Sequence, residues 1–267
     1  MGADIKSLRI RIKSVDSTLH LTKAMGLVAS SKIRGATAAM LKSRDYSSAL
    51  GVIVSQLSAC AECKKSPFIA GNASDKVKLI VIAGDRGLAG GYNANVFREA
   101  AKYPDAEFIP IGKRACERYS AEVNSSEKYP SADAYNLAKK LCTEFKKGEF
   151  GKLGIISTHY VSMMTQEATV QWVLPLEKEE SQSGVGTVFE PNEEYILDTA
   201  VPEYVTGIIF GAVRESYTCE VVARRTAMDS AGKNAQQMID DLRLQYNRAR
   251  QGAITQEITE IIAGSGA

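Results

Sequence analysis

The first proline of the chain is Pro67, so nothing in residues 5–59 demands a break in a helix. Within that run Ile5, Leu8, Ile12, Val15 and Leu19 recur at alternating steps of three and four, the spacing of a coiled-coil seam. At Thr22 and Gly26 the pattern predicts a shift of the seam to Met25, Val28, Ile33, Ala36 and Met40, continuing through Ala49, Val52, Ile53 and Leu57. The far end repeats the arrangement. No proline follows Pro202, and Ala235, Met238, Leu242, Tyr246, Ala249 and Ala253 form a second stripe, followed by Ile254, Ile258 and Ile261. Each helix would be about 80 Å long at 1.5 Å per residue. Neither can bury its stripe alone, because isolated helices gain most of their stability from packing. Two matched ends joined through a different middle predict an antiparallel pair.

The middle alternates strand and helix patterns. Val77 to Ala83 reads as a buried strand, followed by a glycine-rich turn and a helical pattern from Ala94. Glu107 to Ile111 reads as a short strand leading into a helix around Arg114. Ser131 is expected to cap a helix running to about Lys147. Lys152 to His159 and Ala168 to Leu174 are further strands, and residues 177–187 read as an exposed loop. This order predicts a Rossmann-like α/β domain with a mostly parallel sheet. The expected fold is therefore an antiparallel coiled coil of long N- and C-terminal helices plus that domain. Residues 1–60 and 203–267 form the coiled coil in this reading, and 75–200 the α/β domain.

Composition narrows the function classes. With 45% hydrophobic and 24% charged residues the chain is a globular protein in composition. The longest apolar run, Val205 to Val213, includes Thr206 and two glycines, short of the ~18 residues that span a bilayer. No direct membrane insertion is expected. Five cysteines, at 60, 63, 116, 142 and 219, are an odd and scattered set, favouring reduced thiols over a disulfide framework. Cys60 and Cys63 form a lone C-x-x-C with no second pair and only His20 and His159 as histidines, so no metal site is expected.

Charge is unevenly placed. Residues 1–50 hold nine Lys and Arg against three Asp and no Glu, on a chain whose net charge is only +2. Lys6, Arg9, Arg11, Lys13, Lys23, Lys32, Arg34, Lys42 and Arg44 make a basic face on the first helix. A solvated face is the ordinary explanation of such a run; an acidic partner is the sharper one. Tyr46 is the only aromatic there, which argues against stacking on single-stranded nucleic acid.

The turn Gly84-Asp-Arg-Gly-Leu-Ala-Gly-Gly-Tyr-Asn93 follows a strand, as phosphate-binding turns do. It lacks the lysine of a P-loop and the spacing of the dinucleotide fingerprint. A tight structural turn is the favoured reading, and no cofactor is expected. No catalytic constellation is visible either, which moves the weight to binding or mechanics.

Three segments resemble one family. Arg11-Ile-Lys-Ser-Val-Asp-Ser-Thr-Leu-His-Leu-Thr-Lys-Ala-Met25 with Val28-Ala-Ser-Ser-Lys32 is similar to the N-terminal helix of gamma subunits of bacterial F-type ATP synthases. Gly84 to Asn93 resembles the family's strand-turn signature, and Tyr246 to Gly264 its C-terminal signature. Ala89 stands where that signature often has cysteine, and Gly252 where alanine is usual.

The resemblance implies a non-catalytic central rotor that couples proton or sodium flow to ATP synthesis or hydrolysis. Its partners would be the alpha and beta subunits of the catalytic ring, the epsilon subunit and the membrane c-ring. Its place would be the cytoplasmic face of the bacterial plasma membrane, as a peripheral protein. Motif by motif, it implies rotor–stator contacts at Lys23, Met25, Arg224, Arg250, Gln251, Thr255, Glu257, Thr259 and Glu260. Phe189, Glu190, Pro191 and Asn192 would be the foot contact to the c-ring and epsilon. The rival readings are an enzyme with a nucleotide site and a coiled-coil dimerisation arm, and a non-rotating coiled-coil scaffold. Co-purifying subunits would separate these.

Overall fold

The computed structural model describes residues 2–60, 62–177 and 190–265. Helix α1 (Gly2–Ala59) and the last helix, α6 (Glu193–Ser265), run for 58 and 73 residues. Between them lie α2 (Pro67–Ala70), β1 (Val77–Ile82), α3 (Tyr92–Ala100), β2 (Glu107–Ile111), α4 (Lys113–Tyr119), α5 (Ser131–Lys146), β3 (Lys152–Tyr160) and β4 (Gln166–Leu174). The chain divides into two compact units, one of residues 31–223 and one of residues 1–30 with 224–267.

In the larger unit the sheet order is β2-β1-β3-β4, with β1 parallel to both neighbours and β4 antiparallel to β3. The mostly parallel sheet is as expected. The alternation of side chains along β1 assigns its two faces. Ile80 and Ile82, with Ile111, Leu153 and Ile155, join a core with Leu141 and Phe145 of α5, Val54 and Leu57 of α1, and Val205 and Ile209 of α6. Leu79 and Val81, with Ile156, pack with Val96 and Ala100 of α3 and Ala115 of α4. Helices cover both faces, which is why Leu79 to Ile82 of β1 read as an unbroken apolar run.

Several boundaries differ from expectation. Pro130, not Ser131, is the cap of α5, and Ser131 is its first helical residue. Helix α6 begins at Glu193, where the Asn192 side chain accepts a hydrogen bond from Tyr195 N at 2.8 Å. Pro202 therefore lies inside the helix rather than opening it. Burial of Leu197 and Val201 on the sheet core outweighs the backbone bond a proline removes. On α1 the predicted continuation of the stripe holds at Leu57, which is buried, but Ala49, Val52 and Ile53 face outward and Val54 takes the buried place, so that part of the stripe has the wrong phase. Most of the predicted loop at 177–187 lies outside the described residues. One window of α6 reaches a mean hydropathy of 1.3, enough by length and composition to cross a bilayer, contrary to the reading of its residues. Half of that window is buried within the chain, as a core helix requires.

The smaller unit is an antiparallel helix pair. Val15, Leu19, Thr22, Gly26 and Ala29 of α1 keep the alternating step of three and four, and all but half-buried Val15 are buried. On α6 the buried set is Met228, Gly232, Ala235, Ile239 and Leu242. A Cβ on Gly26 would stand 3.6 Å from Met228 Cβ, and one on Gly232 3.9 Å from Leu19 Cδ1, which sets the register. Two expectations fail here. The seam does not shift to Met25 and Val28: it runs straight through Thr22 and Gly26, and Val28 is 56% exposed. Small residues let the backbones approach, so a weakly apolar stretch still forms the contact. On α6 the seam takes Ile239 rather than Met238, which is 45% exposed.

Candidate partner-binding surfaces and the glycine-rich turn

The turn after β1 is built against α6. Gly84 N donates to Asn93 Oδ1 at 2.9 Å, and the Tyr92 hydroxyl donates to the Ser216 carbonyl at 3.0 Å. Burial pushes the Tyr92 hydroxyl pKa far above its usual range. Glu220, 2% exposed, lays its carboxylate over Gly84, where a Cβ would meet Glu220 Cδ at 2.6 Å. A buried carboxylate this close to Gly84 requires a residue without a side chain there, which gives that glycine a packing role in the turn. Asp85 next to it accepts from the backbone N–H groups of Lys113, Ser126 and Glu127 and from the Ser125 hydroxyl. Burial works against its charge, but these donors prevail and hold its pKa below the ordinary value.

Within the larger unit one ion-pair network ties α1 and α6 to the loop before α5, and a second ties them to β3. Lys32 Nζ lies 2.6 Å from Glu127 Oε1, which also accepts from the Tyr217 hydroxyl at 3.1 Å. The Lys32 hydrogen bond is the main reason the Glu127 pKa is lowered. Glu215 Oε1 takes Arg44 at 2.7 Å, His159 Nδ1 at 2.8 Å and Tyr160 N at 2.8 Å. Lys32 and Arg44 thus leave the predicted basic face, because each is engaged with a carboxylate of its own chain. Sequence reading missed both carboxylates; their long sequence separation leaves no local signal.

The cysteines behave as structural thiols. All five are free, and burial pushes Cys63 up to about 11. Cys60 is raised as well, by burial and by Glu193 and Glu62.

In the helix pair, the register carried along both helices brings the start of α1 level with Gly252. Beyond it α6 has no facing helix among the described residues. Ile254, Ile258, Ile261 and Ile262 are accordingly 47%, 51%, 69% and 65% exposed. The expectation that Ile254, Ile258 and Ile261 pack inside the chain is overturned, because the partner helix stops short. Gln251, Thr255 and Thr259 share a neighbouring face, the two threonine hydroxyls donating back to the Gln251 and Thr255 carbonyls at 2.9 and 2.8 Å.

A family model described as ATP synthase matches residues 4–267. The chain is 40% identical to the ATP synthase gamma chain of Ruminococcus albus, with 98% of each covered, and 36% identical to that of Alkaliphilus metalliredigens, covering 100% of this chain and 99% of the other. The chain belongs to the ATP synthase gamma chain family. As a gamma chain it is a non-catalytic subunit of the central stalk of that membrane-associated enzyme. Its fold resembles the rotor of the mitochondrial ATP synthase of Euglena gracilis in rotational state 1, with a TM-score of 0.68, 16% identity and coverage of 95% of this chain and 100% of the other. A second structure of that enzyme, containing OSCP, F1 and c-ring in rotational state 3, gives 0.69 at 17% identity, covering 100% of this chain and 95% of the other.

The residues carried over from gamma-chain motifs fall into distinct settings. Lys23 is exposed on α1, and Met25 is half-buried beside the seam. Arg224 is half-buried, while Arg250, Gln251, Thr255, Glu257, Thr259 and Glu260 are exposed on α6. Glu190, Pro191 and Asn192 are exposed just before α6, with Asn192 capping it. Phe189 lies outside the described residues.

Proposed function

We propose that the paired end helices, residues 1–60 and 203–267, turn as a shaft inside the ring of alpha and beta subunits. Residues 75–200 work against epsilon and the membrane c-ring at the cytoplasmic face of the bacterial plasma membrane. Proton or sodium flow through the c-ring then drives the shaft, and the catalytic subunits synthesise or hydrolyse ATP in response. Lys23, Met25, Arg224, Arg250, Gln251, Thr255, Glu257, Thr259 and Glu260 are the contacts with the ring. Phe189, Glu190, Pro191 and Asn192 are the foot contact. The observation that supports this most is the end of α6, where four isoleucines and a polar face extend past α1. Exposed aliphatic residues in such a row suit a protein sleeve around the helix better than water.

The test is the double substitution Gln251→Ala with Thr255→Ala in the assembled complex. Alanine preserves the helix, and each lost hydrogen bond to a stator subunit is worth about 1 kcal/mol. Steady-state ATP turnover should fall several-fold with assembly intact. Wild-type turnover in a normally assembled complex would remove these two residues from the contact.

A further inference from the structure

Within the larger unit a cleft of about 780 Å³ opens between α1, α5 and α6. Three rings line it: Tyr46 of α1, Tyr135 of α5 and Phe210 of α6. Tyr46 and Tyr135 are 49% and 38% exposed, an unusual placement for two rings of one cavity. The charged lining residues fall at opposite ends. Gly207 lies level with Tyr46, 3.3 Å separating a Cβ there from the tyrosine ring. In an antiparallel pair this puts Lys42 towards Arg214, and Glu203 beyond Gly207 at the far end.

Lys42 is exposed, with no hydrogen-bond or ion-pair partner among the described residues. Arg214 stacks on Phe210, 4.6 Å from the ring centroid, and among the described residues its guanidinium hydrogen-bonds only the Glu127 and Tyr129 carbonyls, at 3.4 and 3.5 Å. Glu203 likewise has no partner among the described residues. The cleft thus joins an aromatic middle, a doubly cationic end and an acceptor end. It falls in the size range of small-molecule sites, about 300–1,000 Å³, and has their pattern of apolar walls with few polar groups.

We propose that this cleft binds a planar aromatic acid, its ring among Tyr46, Tyr135 and Phe210 and its anionic group on Lys42 and Arg214. A hydroxyl or amine at the opposite edge of the ligand donates to Glu203. The rings supply offset or edge-to-face contacts, and the guanidinium favours a planar carboxylate or sulfonate. A simple apolar guest would leave both cations without an anion. A peptide segment would need to satisfy its backbone in an apolar trough.

The probe is 6-hydroxy-2-naphthoate, titrated into the full-length chain and followed by its fluorescence and by calorimetry. Binding in the micromolar range is expected, with at least tenfold weakening by Lys42→Glu and by Tyr46→Ala. Both positions are exposed, so the fold should survive; circular dichroism and the thermal midpoint check that. Uncharged 2-naphthol should bind at least tenfold more weakly than the acid, and 2-naphthoate, which lacks the hydroxyl, should sit between them. Glu203→Gln should weaken 6-hydroxy-2-naphthoate but leave 2-naphthoate unchanged. No binding below 1 mM, equal binding of naphthol, or indifference to Lys42→Glu in a folded variant would each overturn the proposal. The measurement needs neither partner subunits nor rotation, so its outcome is independent of the shaft reading.

Discussion

Glu220 of α6 and Gly84 after β1 are in such close contact that a methyl group on the glycine would stand 2.6 Å from the glutamate Cδ. Both residues are buried, so neither side can yield into solvent. Gly84→Ala should therefore destabilise the chain by about 2 kcal/mol, the usual scale of overpacking. Urea unfolding would show this as a lower midpoint at unchanged slope. An unaltered midpoint would mean that Glu220 can swing away freely.

The Lys32–Glu127 pair predicts a coupling that depends on pH. A double-mutant cycle with Lys32→Met and Glu127→Gln should give about 0.5–1 kcal/mol at neutral pH, since both side chains are partly exposed. Glu127 has a lowered pKa in the folded chain. Its contribution is thus complete above the unfolded carboxylate value and disappears as pH falls through the lower, folded one. Stability of the wild type relative to Glu127→Gln should decline only on that acidic side. A difference that instead shrinks between neutral and alkaline pH would assign the effect to another group.

The thiols should resist both alkylation and pairing. With Cys63 pushed up to about 11, and Cys142 and Cys219 up to about 12, little thiolate is present at pH 8. Iodoacetamide followed by mass spectrometry should label half-buried Cys60 first and the buried four only after unfolding. Rapid formation of a Cys60–Cys63 disulfide in oxidised glutathione would contradict this.

Isoleucines on α6 should divide sharply in their effects. Ile239, 1% exposed against Leu19, should cost about 3 kcal/mol when changed to alanine. Ile258→Ser should change the stability of the isolated chain by less than about 0.5 kcal/mol, because no facing helix covers it. In the assembled enzyme Ile258→Ser should lower ATP turnover. Equal stability losses from the two substitutions in the isolated chain would show that the end of α6 is covered by this chain itself.

The sequence by itself determined that both ends are long helices and where the strands fall along the chain, because spacing acts locally and needs no partner, although the start of the last helix before Pro202 was set by burial of Leu197 and Val201 on the sheet core. It also determined the seam from Ile5 to Leu19, where every position is a large aliphatic residue. The tertiary structure decided the phase wherever two spacings were equally good. Ala235-Met238-Leu242 and Ala235-Ile239-Leu242 both alternate three and four, and only the facing residue Leu19 selects Ile239. It also decided that Thr22 and Gly26 remain in the seam, since close approach of two backbones rewards small size that a hydrophobicity pattern cannot register. The roles of Lys32, Arg44, Glu127, Glu215 and Glu220 belong to the same class. A charged residue reads alike whether it faces water or a carboxylate brought alongside by the fold, and only the packing of α1 and α6 on the sheet distinguishes the two.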